Sequence, residues 1–125
     1  MKKKLSRIPD TELEIMQVIW TNPTPITTSE VKAVLEKKRQ WSIGALQTLL
    51  NRLIDRGFLE AGMQGKSKTY VPLMSEEEYL AVESSSFLQK LTGNSLTRLV
   101  ASLYDSKSIT DKDLRELKEY IESKK

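Results

Sequence analysis

Residues 41–57, WSIGALQTLLNRLIDRG, decide how the rest of the chain is read. A helix starting after Ser42 puts Leu46, Leu49, Leu50 and Leu53 at i, i+3, i+4 and i+7, one apolar stripe facing a core. Ser42 is placed to cap the first free N–H groups. Gly57 stands where a helix C-terminus favours a residue tolerant of positive φ. The opposite face carries Gly44, Gln47, Thr48, Asn51, Arg52 and Asp55, four of them uncharged. A face that meets only water is normally rich in Lys and Glu. Slender residues and amides that both donate and accept suit a helix in the DNA major groove, where base edges are read. Alone, the stretch is as compatible with a surface helix that carries a few amides. Its neighbours separate the two readings.

Upstream, Glu36-Lys37-Lys38-Arg39-Gln40 is a polar turn. Before it, a helix starts at Thr27 or Thr28, with Thr27 and Glu30 spaced as a capping box and Val31, Val34 and Leu35 as its stripe. Two short helices joined by a tight polar connection match the helix-turn-helix pattern. An earlier helix runs from about Pro9 to Trp20, with proline in the first turn and Asp10, Glu12 and Glu14 at the positive end of the dipole. Leu13, Met16, Ile19 and Trp20 form its buried stripe, widened by Ile15 and Val18. Asn22-Pro23-Thr24-Pro25 breaks it, and Ile26 is free to pair briefly with a later hairpin. Met1–Arg7 is a basic lead-in, either a solubilising terminus or an arm that touches phosphates.

Downstream of Gly57 the period changes from 3.6 to 2. Phe58–Ala61 and Thr69–Val71 read as strands joined by Gly62–Lys68, a hairpin in the place of the wing of a winged helix-turn-helix. Lys66 and Lys68, near its tip, are candidates for phosphate contact. Gly65-Lys66-Ser67 imitates the end of a phosphate-binding P-loop, but glutamate stands at position 60 where that motif needs glycine, and a strand follows where it needs a helix. After Pro72 the pattern is helical. Ser75 and Glu78 cap a helix to about Leu91, with Tyr79, Val82, Phe87, Leu88 and Leu91 apolar. Gly93-Asn94 breaks it, Leu96, Leu99, Val100, Leu103 and Tyr104 form a second stripe, and Thr110 and Asp113 open a last helix with Leu114, Leu117, Tyr120 and Ile121. Three such helices in so short a segment bury too little to stand alone. They pack on the first domain or, the preferred reading, on a second copy. The fold expected is mostly α with a small β-hairpin wing: a winged helix-turn-helix over 1–73 and a three-helix dimerisation domain over 74–125.

Charge separates the same two parts. Residues 1–72 hold 12 basic and 7 acidic side chains, a net +5, and residues 73–125 hold 8 and 10, a net −2. A basic half beside an acidic one assigns contact with a polyanion to the first. With no cysteine and no histidine there are no disulfides, no thiolate metal sites and no imidazole base. Neither a nucleophile–base pair, a metal cluster nor a cofactor loop is found, so no cofactor is expected and an enzyme is disfavoured. No apolar run is long enough to cross a bilayer, and the Lys-rich start has no apolar segment behind it, which implies a cytoplasmic protein.

Three segments carry a family resemblance. They are Asp10-x-Glu12-Leu13-Glu14-Ile15-Met16-x-Val18-Ile19-Trp20, then Trp41-Ser42 followed by Gln47-Thr48-Leu49-Leu50-x-Arg52-Leu53 and Gly57-Phe58-Leu59, then Ser86-Phe87-Leu88. In this order and spacing the chain resembles the penicillinase-repressor (BlaI/MecI/CopY) family of bacterial transcription factors over nearly its whole length. The resemblance implies a homodimeric repressor of β-lactamase or resistance-type genes on a palindromic operator, usually with TACA and TGTA elements. It implies DNA contact from Ser42, Gly44, Ala45, Gln47, Thr48, Asn51, Arg52, Lys66 and Lys68. Dimerisation falls to Phe87, Leu88, Leu91, Leu96, Leu99, Val100, Leu103, Leu117 and Ile121. In the β-lactam-responsive branch a membrane metalloprotease relays the signal and the repressor is cut in its dimerisation domain, a bond that aligns with Ser102–Leu103. The chain departs from the family at three places. Ile43-Gly44-Ala45 replaces Pro-Lys-Thr, so a methyl stands at position 45 where relatives have a hydroxyl. Serine precedes the aligned bond where relatives have asparagine. The Cys-x-Cys pairs of copper-responsive members are absent. A winged-helix module that binds protein, or a regulator of the same fold answering an unrelated signal, is the alternative.

Overall fold

The structure, a computed structural model, describes residues 7–125, so the basic lead-in, apart from Arg7, lies outside the described residues. The element order is α1 (Asp10–Thr21), β1 (Ile26–Thr27), α2 (Thr28–Leu35), α3 (Ile43–Asp55), β2 (Leu59–Gln64), β3 (Ser67–Pro72), α4 (Glu76–Thr92), α5 (Leu96–Asp105) and α6 (Asp111–Ser123). The strands form one antiparallel sheet in the order β1-β3-β2. This is a winged helix-turn-helix followed by three helices, mostly α with a small sheet, as the sequence pattern predicts.

The chain divides into two compact units, Met1–Ala81 and Val82–Lys125. The sequence draws its boundary at 73/74, from Pro72. The first unit continues into α4 because Tyr79 is buried there, its ring 5.8 Å from Trp20 and 6.1 Å from Phe58. The Tyr79 hydroxyl accepts from the Ile8 backbone N–H at 2.8 Å. The core gathers Ile15, Met16 and Ile19 of α1, Val31 and Leu35 of α2, Leu46, Leu50 and Leu53 of α3, and Phe58, Leu59 and Tyr70 of the hairpin. Leu13, Trp20, Val34 and Leu49 pack against it, half-buried. Trp20 Nε1 donates to the Met74 carbonyl at 2.9 Å.

Local signals act where expected. Thr27 Oγ1 accepts from Glu30 N–H at 3.1 Å and the Glu30 carboxylate accepts from Thr27 N–H at 2.9 Å, a closed capping box. Hydrogen bonding to Thr27, its backbone N–H foremost and its side chain second, holds the Glu30 carboxyl below the usual carboxylate range. Ser75 and Glu78 reciprocate in the same way, as do Thr110 and Asp113. Ile26 pairs with Tyr70 across β1 and β3.

One expectation is corrected, and one residue gains a second role. Gly62–Lys68 is not a loop: β2 and β3 pair from Leu59↔Pro72 to Gln64↔Ser67, leaving only Gly65 and Lys66 as the turn. Gly65 has φ +62°, as the first central residue of a type II′ hairpin turn requires. Glu12 does more than face the helix dipole. It is 2% exposed, its carboxylate 3.4 Å from Arg56 Nη1 at the end of α3. A carboxylate this far from water is held by the cation beside it.

In the second unit no residue of α5 or α6 is fully buried. Leu96, Leu117 and Ile121 are 56%, 42% and 46% exposed, and Phe87 and Leu91 are exposed too. Leu88, Leu99, Val100, Leu103 and Leu114 are half-buried. The Tyr104 hydroxyl donates to Asp111 Oδ1 at 2.7 Å, a bond that raises the phenol pKa because the neutral form makes it. The bond Ser102–Leu103 lies in the last turns of α5, with the Ser102 carbonyl accepting from Ser106 N–H and the Leu103 carbonyl from Ser108 N–H.

Candidate nucleic-acid interface

The site is the outward face of α3 with the hairpin beside it. Ser42 Oγ accepts from Ala45 N–H at 3.0 Å and starts the helix, and Gly57, at φ +87°, ends it. Between them the apolar stripe is fixed on the core, so the other face is fixed outward. Ser42, Gly44, Ala45, Thr48, Asn51 and Arg52 are exposed and Gln47 is half-buried.

Gly44 is informative because nothing in the protein demands it. A Cβ built there meets no atom within 4 Å. Glycine inside a helix costs about 1 kcal/mol relative to alanine. Its use on an open, outward position suits close approach by something outside the chain. Thr48 Oγ1 donates to the Gly44 carbonyl at 3.0 Å, which directs its lone pairs outward as acceptors.

The two sequence-selected lysines part company. Lys66 is exposed in the two-residue turn at the hairpin tip. Lys68 is half-buried, its Nζ 5.9 Å from the Tyr70 ring centroid and 3.5 Å from Asn51 Oδ1. It belongs to the side-chain network of α3 more than to the tip. The strand pairing causes this, since Lys68 pairs with Met63 within the hairpin.

Sequence reasoning misses three residues here. Tyr70 is fully buried, yet its hydroxyl reaches both Thr28 Oγ1 at 3.0 Å and Gln47 Nε2 at 3.1 Å. An aromatic in a strand reads as core, and nothing in the spacing of positions 28, 47 and 70 announces that they meet. Ile43 is the third: 55% exposed at the start of α3, it adds apolar surface beside Ala45. Its exclusion from the leucine stripe was the available signal. The dimerisation and cleavage residues selected from the sequence all lie in α4, α5 and α6, apart from this face in the chain.

Among the described residues there is no cluster of side chains able to hold a metal ion, and no helix is long and apolar enough to cross a membrane.

The penicillinase repressor family model matches residues 8–123. The penicillinase repressor of Bacillus licheniformis is 35% identical over 123 residues, covering 98% of this chain and 95% of that one. The methicillin resistance regulatory protein MecI of Staphylococcus aureus (strain N315) is 23% identical over 124 residues, covering 99% and 100%. Among solved structures, the monomeric form of Bacillus licheniformis BlaI in complex with the blaP half-operator matches with a TM-score of 0.52 and 41% identity, over 62% of this chain and 94% of that one.

Proposed function

The chain belongs to the penicillinase repressor family, and on that premise we propose that it is a homodimeric transcriptional repressor, working in the cytoplasm on a palindromic operator. The observation that carries the reading is the outward face of α3: an unforced glycine, a threonine and two amides, set beside a basic hairpin. The same face in a 41% identical relative belongs to a domain solved on a half-operator. Base reading falls to Gln47, Thr48, Asn51 and Arg52, with Ser42 at the helix start and Ala45 and Ile43 offering apolar contact to thymine methyls. Lys66 supplies phosphate contact from the tip, and Lys68 approaches the same groove edge. A protein that reads DNA in this way has no use for catalytic groups.

The uncovered stripe of α4, α5 and α6 supports the dimer. Leucines and tyrosines left this exposed, on helices too few to bury them, are covered when a second copy packs on them. A two-fold operator calls for a two-fold protein, with half-sites about one helical turn or a small multiple apart. The genes repressed are of the β-lactamase or resistance type, and repression ends when a membrane metalloprotease sensor cuts Ser102–Leu103. Leucine after the bond suits such an enzyme, and the bond sits near a helix end, where local opening exposes it.

Binding measured on operator against random duplex, across a salt series, tests the core of the reading. Affinity for both should fall steeply as salt rises, through counterion release. Gln47→Ala or Thr48→Ala should each cut the operator-to-random ratio roughly twofold to tenfold, the worth of one base-edge hydrogen bond. Lys66→Ala should weaken both duplexes equally. A ratio untouched by the helix substitutions removes α3 as the reading element and favours a winged-helix module that binds protein.

A further inference from the structure

The amides on α3 are not free to choose which end they present. Lys68 Nζ lies 3.5 Å from Asn51 Oδ1, and an ammonium only donates. The carbonyl end of Asn51 is therefore the end turned to the hairpin. Gln47 approaches that same oxygen at 3.3 Å, so it must bring a donor, its Nε2. The second hydrogen of Nε2 goes to the Tyr70 hydroxyl at 3.1 Å. The Tyr70 hydroxyl is held in turn by a hydrogen bond with Thr28 Oγ1, at 3.0 Å. The direction of both amide bonds in the relay follows from one group that has no acceptor atom. Burial of Tyr70 keeps water from competing at the far end.

We infer that this relay sets the base-reading polarity of α3, so that Gln47 offers DNA only its Oε1, an acceptor, and Asn51 only its Nδ2, a donor. The inference rests on the DNA-binding reading above and deepens it. An unconstrained glutamine grips adenine through N6 and N7 together. Here both Nε2 hydrogens are engaged inside the protein, so Gln47 meets an exocyclic amine, adenine N6 or cytosine N4, and leaves purine N7 alone. Asn51 meets an acceptor: a purine N7, guanine O6 or thymine O4. Tyr70 touches no base in this arrangement; it is a positioning residue.

Two measurements on the full chain test it. In the DNA-free protein, nuclear magnetic resonance should show the side-chain amide protons of Gln47 exchanging with water more slowly than those of Asn51. Tyr70→Phe and Lys68→Met should each close that gap. Equal rates in the unsubstituted protein overturn the relay and leave the DNA reading standing. The second measurement takes the duplex that the protein selects from a random pool and replaces its bases singly. Purine for adenine, or 2-pyrimidinone for cytosine, removes the exocyclic amine; 7-deazapurines remove N7. One amine deletion should weaken binding roughly twofold to tenfold, the worth of one hydrogen bond, and have no further effect in Gln47→Ala. Coupling of Gln47 to a 7-deaza position, or to no position, overturns the inference. A protein that selects no sequence at all removes the DNA reading, and this inference with it.

Discussion

Helices α3 and α5 carry the same apolar spacing and meet different fates. Leu46, Leu50 and Leu53 of α3 are fully buried, whereas Leu96 of α5 is 56% exposed and no residue of α5 is buried. The first unit offers α3 two helices and a three-stranded sheet to close over its stripe. The second unit holds only helices, each with its own uncovered face. Periodicity thus says which face of a helix is apolar. What covers that face is decided by the other elements within reach.

The contrast is open to attack, and the largest effect is expected in the first unit. Leu50→Ala removes a fully buried side chain from a closed core and should cost about 2–5 kcal/mol. Both tryptophans, Trp20 and Trp41, lie in this unit, so their fluorescence follows its unfolding in urea. A cost under about 1 kcal/mol would mean that the core of α3 is far looser than its burial indicates.

Leu99→Asp should act on assembly and spare the first unit. A carboxylate in the middle of the α5 stripe opposes burial against a second copy. Sedimentation should show monomers, the tryptophan unfolding midpoint should stay in place, and operator affinity should drop on the order of a hundredfold as the half-sites lose their linkage. A Leu99→Asp protein that remains dimeric refutes the placement of the interface.

The mildest consequence for the first unit comes from cutting the chain at Ser102–Leu103. The fragment should unfold at the midpoint of the intact protein while losing the dimer. Blotting in native cells after β-lactam exposure should reveal an N-terminal fragment ending near Ser102. An intact chain beside derepressed targets rules proteolysis out.

How much of this was legible depends on distance along the chain. The stripe of α3, the Ser42 cap, the Gly57 stop and the Thr27–Glu30 box were readable because every partner lies within a turn or two. The length of the hairpin was not. Gly62, Met63 and Gln64 lack the alternation that marks a strand, and all three are exposed. They pair nonetheless, since Gly65 makes a tight turn and the backbone groups then satisfy one another. Glu12 read as a helix-start acid, because its burial beside Arg56 depends on a neighbour 44 positions away. The outward residues of α3 were identifiable singly. Their connection through Tyr70 and Thr28 was not, because it exists only once three elements have packed.

The hydrogen bond from Ile8 to Tyr79 spans 71 positions and joins the two ends of the first unit. Closing so long a loop costs more chain entropy than any neighbouring contact in the capping boxes, so it is completed late, after the helix-turn-helix and the hairpin have condensed. Ile8 and Tyr79 are both buried, and Tyr79 packs on Trp20 and Phe58, so the bond works as a seam that stitches the two ends of the unit into its core.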